Sequence, residues 1–188
     1  VRIRISGLRG QKGVKWEGGI RVPGIFYWPG TIAAGKAIET PGGLVDILPT
    51  LCKLLSLDLP RNRHLDGTSL TSLLLGNPDG FSRLQPFYWH VHRSKPIVAI
   101  RDGDYSLIAH RDNDELPLTN RTDEAWVPLI KEGGYQGYEL YDLKKDPKQT
   151  TDLASRYPEK LQELKRKLLN INASVMTDGY DWHIEEHP

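Results

Sequence analysis

Lys12 is the residue of this chain best placed to do chemistry, because of what surrounds it. The run Leu8-Arg9-Gly10-Gln11-Lys12-Gly13-Val14-Lys15-Trp16-Glu17-Gly18-Gly19 carries glycine at positions 10, 13, 18 and 19, too many for a packed helix or strand. Glycine reaches positive φ and lets main chain come close to a ligand. A lysine held on such a loop is a compact point charge, suited to an anion. Lys15 has two destinations open to it, the wall of a pocket or water, and water is the expectation. Glu17 and Arg21 stand four residues apart, so a charge-assisted hydrogen bond between them would lock the turn.

Further along, Tyr88, His90 and His92 alternate with Phe87, Trp89 and Val91, so on a strand they share one face. Two imidazoles at i, i+2 have metal-like spacing, but no third ligand lies nearby in sequence. A wall of a polar pocket and plain surface histidines are the other readings. Cys52 is the sole cysteine, so neither an intrachain disulfide nor a thiolate zinc cluster can form. It stands on an apolar helix stripe, where a small core thiol is expected. His64, His110, His183 and His187 offer no constellation. Asn120-Arg121-Thr122 and Asn172-Ala173-Ser174 fit the glycosylation sequon.

These side chains need elements to position them. Ile20, Val22 and Ile25 to Trp28 are β-prone and apolar, which predicts a strand buried inside a mixed sheet. Leu44 to Leu57 reads as a helix with Asp46 as N-cap, Pro49 in the first turn, and Leu48, Leu51, Cys52 and Leu55 on one stripe. A short helical turn is expected around Leu70 to Leu75. Ile97 to Arg101 and Tyr105 to His110 predict a hairpin, with Asp102-Gly103 as a type I′ turn. Asp112 to Gly137 reads as an exposed loop, and Tyr138 to Leu143 as a strand. Glu159 to Ile171 is the last helix, with Pro158 at its first position and Leu161, Leu164, Leu168 and Ile171 on one face. Strands followed by one packing helix suggest a small α+β subdomain.

Composition bounds the rest. The chain has 188 residues, with Lys plus Arg at 25 against Asp plus Glu at 24, a formal net charge of +1. Bulk charge therefore argues against a nucleic-acid partner. No apolar run approaches the roughly 18–20 residues of a membrane span. The start, Val1-Arg2-Ile3-Arg4-Ile5, has no methionine and no secretory h-region, so a truncated product or the tail of a longer chain is expected.

The run from Leu8 to Gly19, with Ile20-Arg21-Val22-Pro23 and then Trp28-Pro29-Gly30, resembles the C-terminal active-site loop of the sulfatases. The usual form of that loop reads roughly L-R-G-x-K-x-x-x-W/Y-E-G-G-x-R-x-P, then W-P-G. A D-x-x-P-T-L helix and an L-D-G segment follow in that family, and Asp46 to Leu51 and Leu65-Asp66-Gly67 match them in order. The resemblance implies the C-terminal part of a formylglycine-dependent, arylsulfatase-like enzyme of the alkaline-phosphatase superfamily. The implied fold is α/β: residues 1–80 end the main α/β domain with the active-site loop, and residues 81–188 form an α+β subdomain with an antiparallel sheet and C-terminal helix. The implied activity is hydrolysis of an aryl or carbohydrate sulfate. Lys12 takes the place of the lysine that contacts the sulfate and the leaving oxygen.

Lys15, Arg21, His90 and His92 are the candidate substrate contacts, His90 and His92 at the cleft mouth and Arg21 with an acidic sugar as its alternative to locking the turn. No residue here is assigned to a metal. The family's calcium and formylglycine are expected to be bound or formed outside this chain, in the missing N-terminal part of the same polypeptide. The fragment by itself is therefore expected to be inactive. The rivals are a phosphate or phosphonate ester hydrolase of the same superfamily, and a non-catalytic remnant or carbohydrate-binding module. Members of the family are typically periplasmic, secreted or lysosomal.

Overall fold

The structure, a computed structural model, describes residues 7–92, 95–112 and 126–179. Its described residues form two compact units, one built from the stretch up to Arg21 together with the stretch from Tyr88 onward, the other from Val22–Phe87. The Asn120 sequon, His183, His187 and the Val1 to Ile5 start lie outside the described residues.

The first unit is organised by a four-stranded sheet in the order β1-β2-β3-β4. The strands are β1 Phe87–His90, β2 Val98–Asp102, β3 Tyr105–Arg111 and β4 Tyr135–Asp142. β2 pairs antiparallel with β3, and β3 with β4. Alternation along each strand sends Val98, Ile100, Leu107, Ala109 and Leu140 to one face and Ala99, Ile108 and Tyr141 to the other. Helix α5, Pro158–Asp178, covers the first face with Leu164 and Leu168, both fully buried, and with Leu161 and Ile171 beside them. That is the expected stripe, on a helix that continues past Ile171. Trp16 from the glycine-rich loop packs on the second face beside Trp89. The sheet thus carries a helix on one side and the candidate active-site loop on the other.

The hairpin is present, but its turn is displaced by one residue. Asp102 pairs with Tyr105, so the two-residue loop is Gly103-Asp104. Only Gly103 takes a positive φ, +58°, the pattern of a type II′ turn, in which glycine occupies the first central position. The expected loop from Asp112 to Gly137 is also shorter than anticipated. Val127–Glu132 forms helix α4, with Pro128 near its start, and Tyr135 already belongs to β4.

The second unit contains a 3₁₀ turn at Leu44–Asp46, α2 at Ile47–Leu54 and α3 at Thr71–Leu74. Asp46 is fully buried but does not cap α2: its own backbone is already helical and its side chain makes no cap bond. Its carboxylate instead accepts from Gly43 N at 2.8 Å, Thr68 N at 2.8 Å and Arg83 Nη2 at 2.6 Å. Thr50 Oγ1 donates to Asp46 O at 2.6 Å and accepts from Leu70 N at 2.9 Å. A Cβ on Gly67 would lie 1.9 Å from Val45 O, so the loop carrying Gly67 closes over Asp46 only with glycine there. The D-x-x-P-T and L-D-G motifs are therefore two halves of one buried polar joint.

Two expectations are reversed in this unit. The side of α2 buried within the unit carries Pro49, Thr50 and Cys52, whereas Leu48, Leu51 and Leu55 are 45%, 48% and 57% exposed. The polar anchors Asp46 and Thr50 face inward and turn the leucines out. Cys52, at 7% exposure, is the buried free thiol expected. Residues 22–28 form no strand: Val22, Ile25 and Tyr27 are 79%, 90% and 87% exposed. A β-prone segment becomes a strand only where a neighbour completes its ladder, and no described strand does so.

Leu164→Ala is expected to lower the stability of the sheet unit by about 2–5 kcal/mol, the usual cost of an emptied core position. Leu48→Ala is expected to stay within ~0.5 kcal/mol. Urea titrations of this chain, read by tryptophan fluorescence, check the contrast; equal losses would contradict the burial pattern.

Candidate active-site loop

The loop from Leu8 to Arg21 is folded by main-chain contacts first. Gly18 N donates to Arg9 O at 2.7 Å and Val14 N to Gln11 O at 3.1 Å. The single-turn helix α1, Glu17–Ile20, follows, with Arg21 N donating to Glu17 O at 2.9 Å. A Cβ would stand 2.6 Å from Arg9 O at Gly18 and 2.2 Å from Val14 O at Gly19. The Gly-Gly pair of the motif is thus a steric requirement of a chain doubled back on itself.

Three side chains then fasten the loop to the sheet. Arg9 lies 4.2 Å over the Trp16 ring, and its Nη1 donates to Tyr141 Oη at 2.7 Å and to Gln149 O at 3.1 Å. Glu17, 2% exposed, stands within ion-pair distance of Arg101, at 3.5 Å, and Arg21, at 3.7 Å. Burial raises the Glu17 pKa above the usual carboxylate value, while Arg101 and then Arg21 oppose that rise. Glu17 N donates to Gln149 Oε1 at 2.7 Å. Gln149 is 1% exposed and sits at φ +52° in the turn after β4, where Gln149 N donates to Asp146 O at 3.0 Å.

A second network lies beside the Arg9 contact. Glu139 accepts from Tyr141 Oη and pairs with His110 Nε2 at 3.2 Å. Burial works against the Glu139 carboxylate, yet the hydrogen bonds from Tyr141 and His110 and the charge of Arg9 hold it below its usual pKa. Sequence reading missed Arg9, Gln149, Arg101 and Glu139. Each acts across more than 80 residues of chain, and no local period announces such a contact.

The predicted site residues fall into three environments. Lys12 is exposed, between Gly10 at φ +88° and Gly13 at φ +98°, and makes no hydrogen bond or ion pair among the described residues. Arg21 is exposed and turned back onto Glu17, as the turn-locking reading expects. Lys15 does not face water: it is 5% exposed, and burial lowers its pKa. A loop lysine reads as solvated until the packing that covers it is known.

Lys15 is among the charges that reach His90. Burial first, then the charges of His92, Arg111 and Lys15, push His90 down to about 4, so its ring is neutral at pH 7. The His90 ring lies 6.5 Å from that of Tyr88 and 6.4 Å, edge-on, from that of Tyr135. Tyr88 and Tyr135 donate to Asn172 Oδ1 at 2.7 and 2.6 Å. The Asn172 sequon therefore lies within α5, its side-chain oxygen already engaged. Among the described residues no group of three or more His, Cys, Asp or Glu could hold a metal ion, and Cys52 is buried on α2. These residues fit neither a calcium site nor a formylglycine precursor, and no chemical step through either is assigned to them.

Gln149→Leu is expected to cost about 1–3 kcal/mol, because it leaves the buried Glu17 amide without an acceptor. Gln149→Glu keeps an acceptor but buries a second carboxylate, so it should recover protection of the Glu17 amide without recovering the stability; hydrogen exchange at that amide distinguishes the two variants. His90 gives a pH signature. With a folded pKa of about 4 against an unfolded value near 6.5, the unfolded chain binds more protons between those values, so stability rises with pH across that window and levels off above it. Unfolding at pH 5 should take up about one proton more than in His90→Gln; identical uptake would contradict the buried, neutral ring.

No family model matches the chain. Human arylsulfatase A is 36% identical over 174 residues, covering 85% of this chain and 32% of that protein. Human arylsulfatase D is 51% identical over 69 residues, covering 36% of this chain and 12% of that protein. The crystal structure of the PsFucS1 sulfatase from Pseudoalteromonas sp. superposes with a TM-score of 0.63 at 28% identity, covering 89% of this chain and 32% of that one. The chain spans about a third or less of the length of these relatives, and no described helix is long and apolar enough to cross a membrane. The anchored loop, the antiparallel sheet under a C-terminal helix and these likenesses place the chain in the sulfatase family, as a counterpart of the C-terminal portion of its members.

Proposed function

We propose that this chain supplies part of the active site of a sulfate-ester hydrolase, with Lys12 as the cation that meets the sulfate. The observation that carries this reading is the contrast within the loop. Arg9, Trp16 and Glu17 are committed to the sheet, while Lys12 is held out to solvent on the same turn. A cation on a fixed loop stabilises charge that develops on a transferring sulfuryl group and its leaving oxygen without reorganising at that moment.

The nucleophile and metal ion of the family lie in the remainder of the polypeptide, as does the rest of the α/β domain that residues 1–80 complete, so residues 1–188 alone hydrolyse no sulfate ester. His90 and His92 belong to the substrate's rim, where neutral His90 offers a hydrogen bond to a sugar hydroxyl or an aryl ester. Arg21 orients Glu17 rather than substrate.

In the complete enzyme, Lys12→Ala should lower kcat about a hundredfold to a thousandfold with little change in Tm, because an exposed loop lysine contributes little to folding. Lys12→Arg should rescue only part, since a planar fork does not reproduce a compact ammonium. Steady-state kinetics with 4-nitrophenyl sulfate decide it: near-normal turnover in Lys12→Ala, or hydrolysis by residues 1–188 alone, would overturn the assignment.

A further inference from the structure

Arg9 is the first anchor of the loop, and a carboxylate on the sheet holds it in turn. The Arg9 carbonyl accepts from Gly18 N at 2.7 Å, while its Nη1 donates to Tyr141 Oη at 2.7 Å, so Arg9 ties both ends of the Lys12 turn to β4. Glu139 and Tyr141 stand two residues apart on β4 and share a face of the sheet. Tyr141 Oη donates to Glu139 Oε2, and the same oxygen lies 3.4 Å from Arg9 Nη1. Glu139 Oε1 lies 3.2 Å from His110 Nε2. The pairing of β3 with β4 shifts register between Ile108 and His110, and Gly137 on β4 takes φ +59°. A bulge of this kind re-aims a side chain, here His110 toward Glu139.

A tyrosine hydroxyl has one proton to give and lone pairs to receive with. Burial and then Glu139 raise the Tyr141 pKa, so the phenol keeps its proton. Giving that proton to Glu139 leaves the oxygen's lone pairs turned to Arg9; without the carboxylate the hydroxyl is free to point its proton at the guanidinium, donor against donor. We propose that Glu139 is a positioning residue for Lys12: it sets the direction of the Tyr141 hydroxyl, balances the charge of Arg9, and so holds the turn from which Lys12 meets the sulfate. This rests on the sulfatase reading and adds to it a residue that acts through Arg9 and not on the substrate. The side chains of Arg9 and Glu139 are 39% and 23% exposed, so their ion pair contributes little to folding. What the carboxylate fixes is geometry, and a displacement of about 1 Å in a catalytic group can cost on the order of a hundredfold in rate.

The test is a double-mutant cycle in the complete enzyme, read with 4-nitrophenyl sulfate. Glu139→Leu should lower kcat about tenfold to a hundredfold. KM should change less than about threefold, because Lys12 meets charge that develops in the transition state. Glu139→Gln keeps an oxygen for the Tyr141 proton and should recover most of the loss. In the Lys12→Ala background, Glu139→Leu should cost less than about twofold more, since both changes remove the same contribution. Losses that multiply in the double variant overturn the role, as does a normal kcat in Glu139→Leu or a Glu139→Gln enzyme no better than Glu139→Leu. Hydrogen exchange in residues 1–188 gives a readout without turnover. Glu139→Leu should speed exchange of the Gly18 amide about tenfold and leave the Leu168 amide of α5 unchanged. An undisturbed Gly18 amide overturns the role, and so does equal acceleration at both amides, which would make Glu139 a contributor to global stability only. The sulfatase reading fails separately, through normal turnover in Lys12→Ala alone.

Discussion

The burial of Glu17 is the constraint on which the candidate site depends. A carboxylate 2% exposed is unfavourable unless charge and hydrogen bonds surround it. Here Arg101 comes from β2, Arg21 from the loop itself, and Gln149 from the turn after β4 takes the adjoining amide. Two distant pieces of chain, β2 and the turn after β4, must therefore be in place before the loop can close, and once they are, its path is fixed. Such an arrangement gains little net stability from its charges, because desolvation offsets much of the attraction. Its consequence is positional: the loop has one way to sit on the sheet.

The same logic explains why the sheet carries unlike layers. The face under α5 is aliphatic, closed by Leu164 and Leu168, and needs no directional contact. The opposite face combines Trp16, Trp89 and Tyr141 with the guanidinium of Arg9. Aromatic rings bury area while accepting a cation over their faces, so that side can hold a polar loop where aliphatic packing would reject it. Helix α5 supports the sheet, and the aromatic face converts that support into a fixed place for Lys12.

Elements whose information is local were legible in the sequence. The stripe of α5 and the alternation of β1 to β3 depend on period alone, and both appear where expected, except that β1 ends at His90 and leaves Val91 and His92 outside the strand. The glycine-rich loop was legible as a motif, although the reason for its Gly-Gly pair, a backbone doubled onto Arg9 and Val14, needed coordinates. The misreadings share one cause, that a partner distant in sequence decides burial. Leu48 and Leu51 form an apolar stripe, yet Asp46 and Thr50 bind Thr68 and Leu70 and set which side of α2 turns inward. Residues 25–28 have strand composition without a strand to pair with. Lys15 reads as solvated because nothing within ten residues reveals the packing that encloses it. The turn at Gly103 moved by one residue because Asp102 is used in the ladder, a register choice that a dipeptide does not encode.

Lys12 and Lys15 show how one loop gives the same side chain two chemistries. Lys12, between Gly10 and Gly13 at positive φ, is exposed to water. Lys15 adjoins Trp16, whose packing on the sheet draws the neighbouring backbone inward and strips water from the amine. An approaching anion meets a hydrated charge at the first and a dehydrated one at the second, where each interaction is stronger because less water screens it.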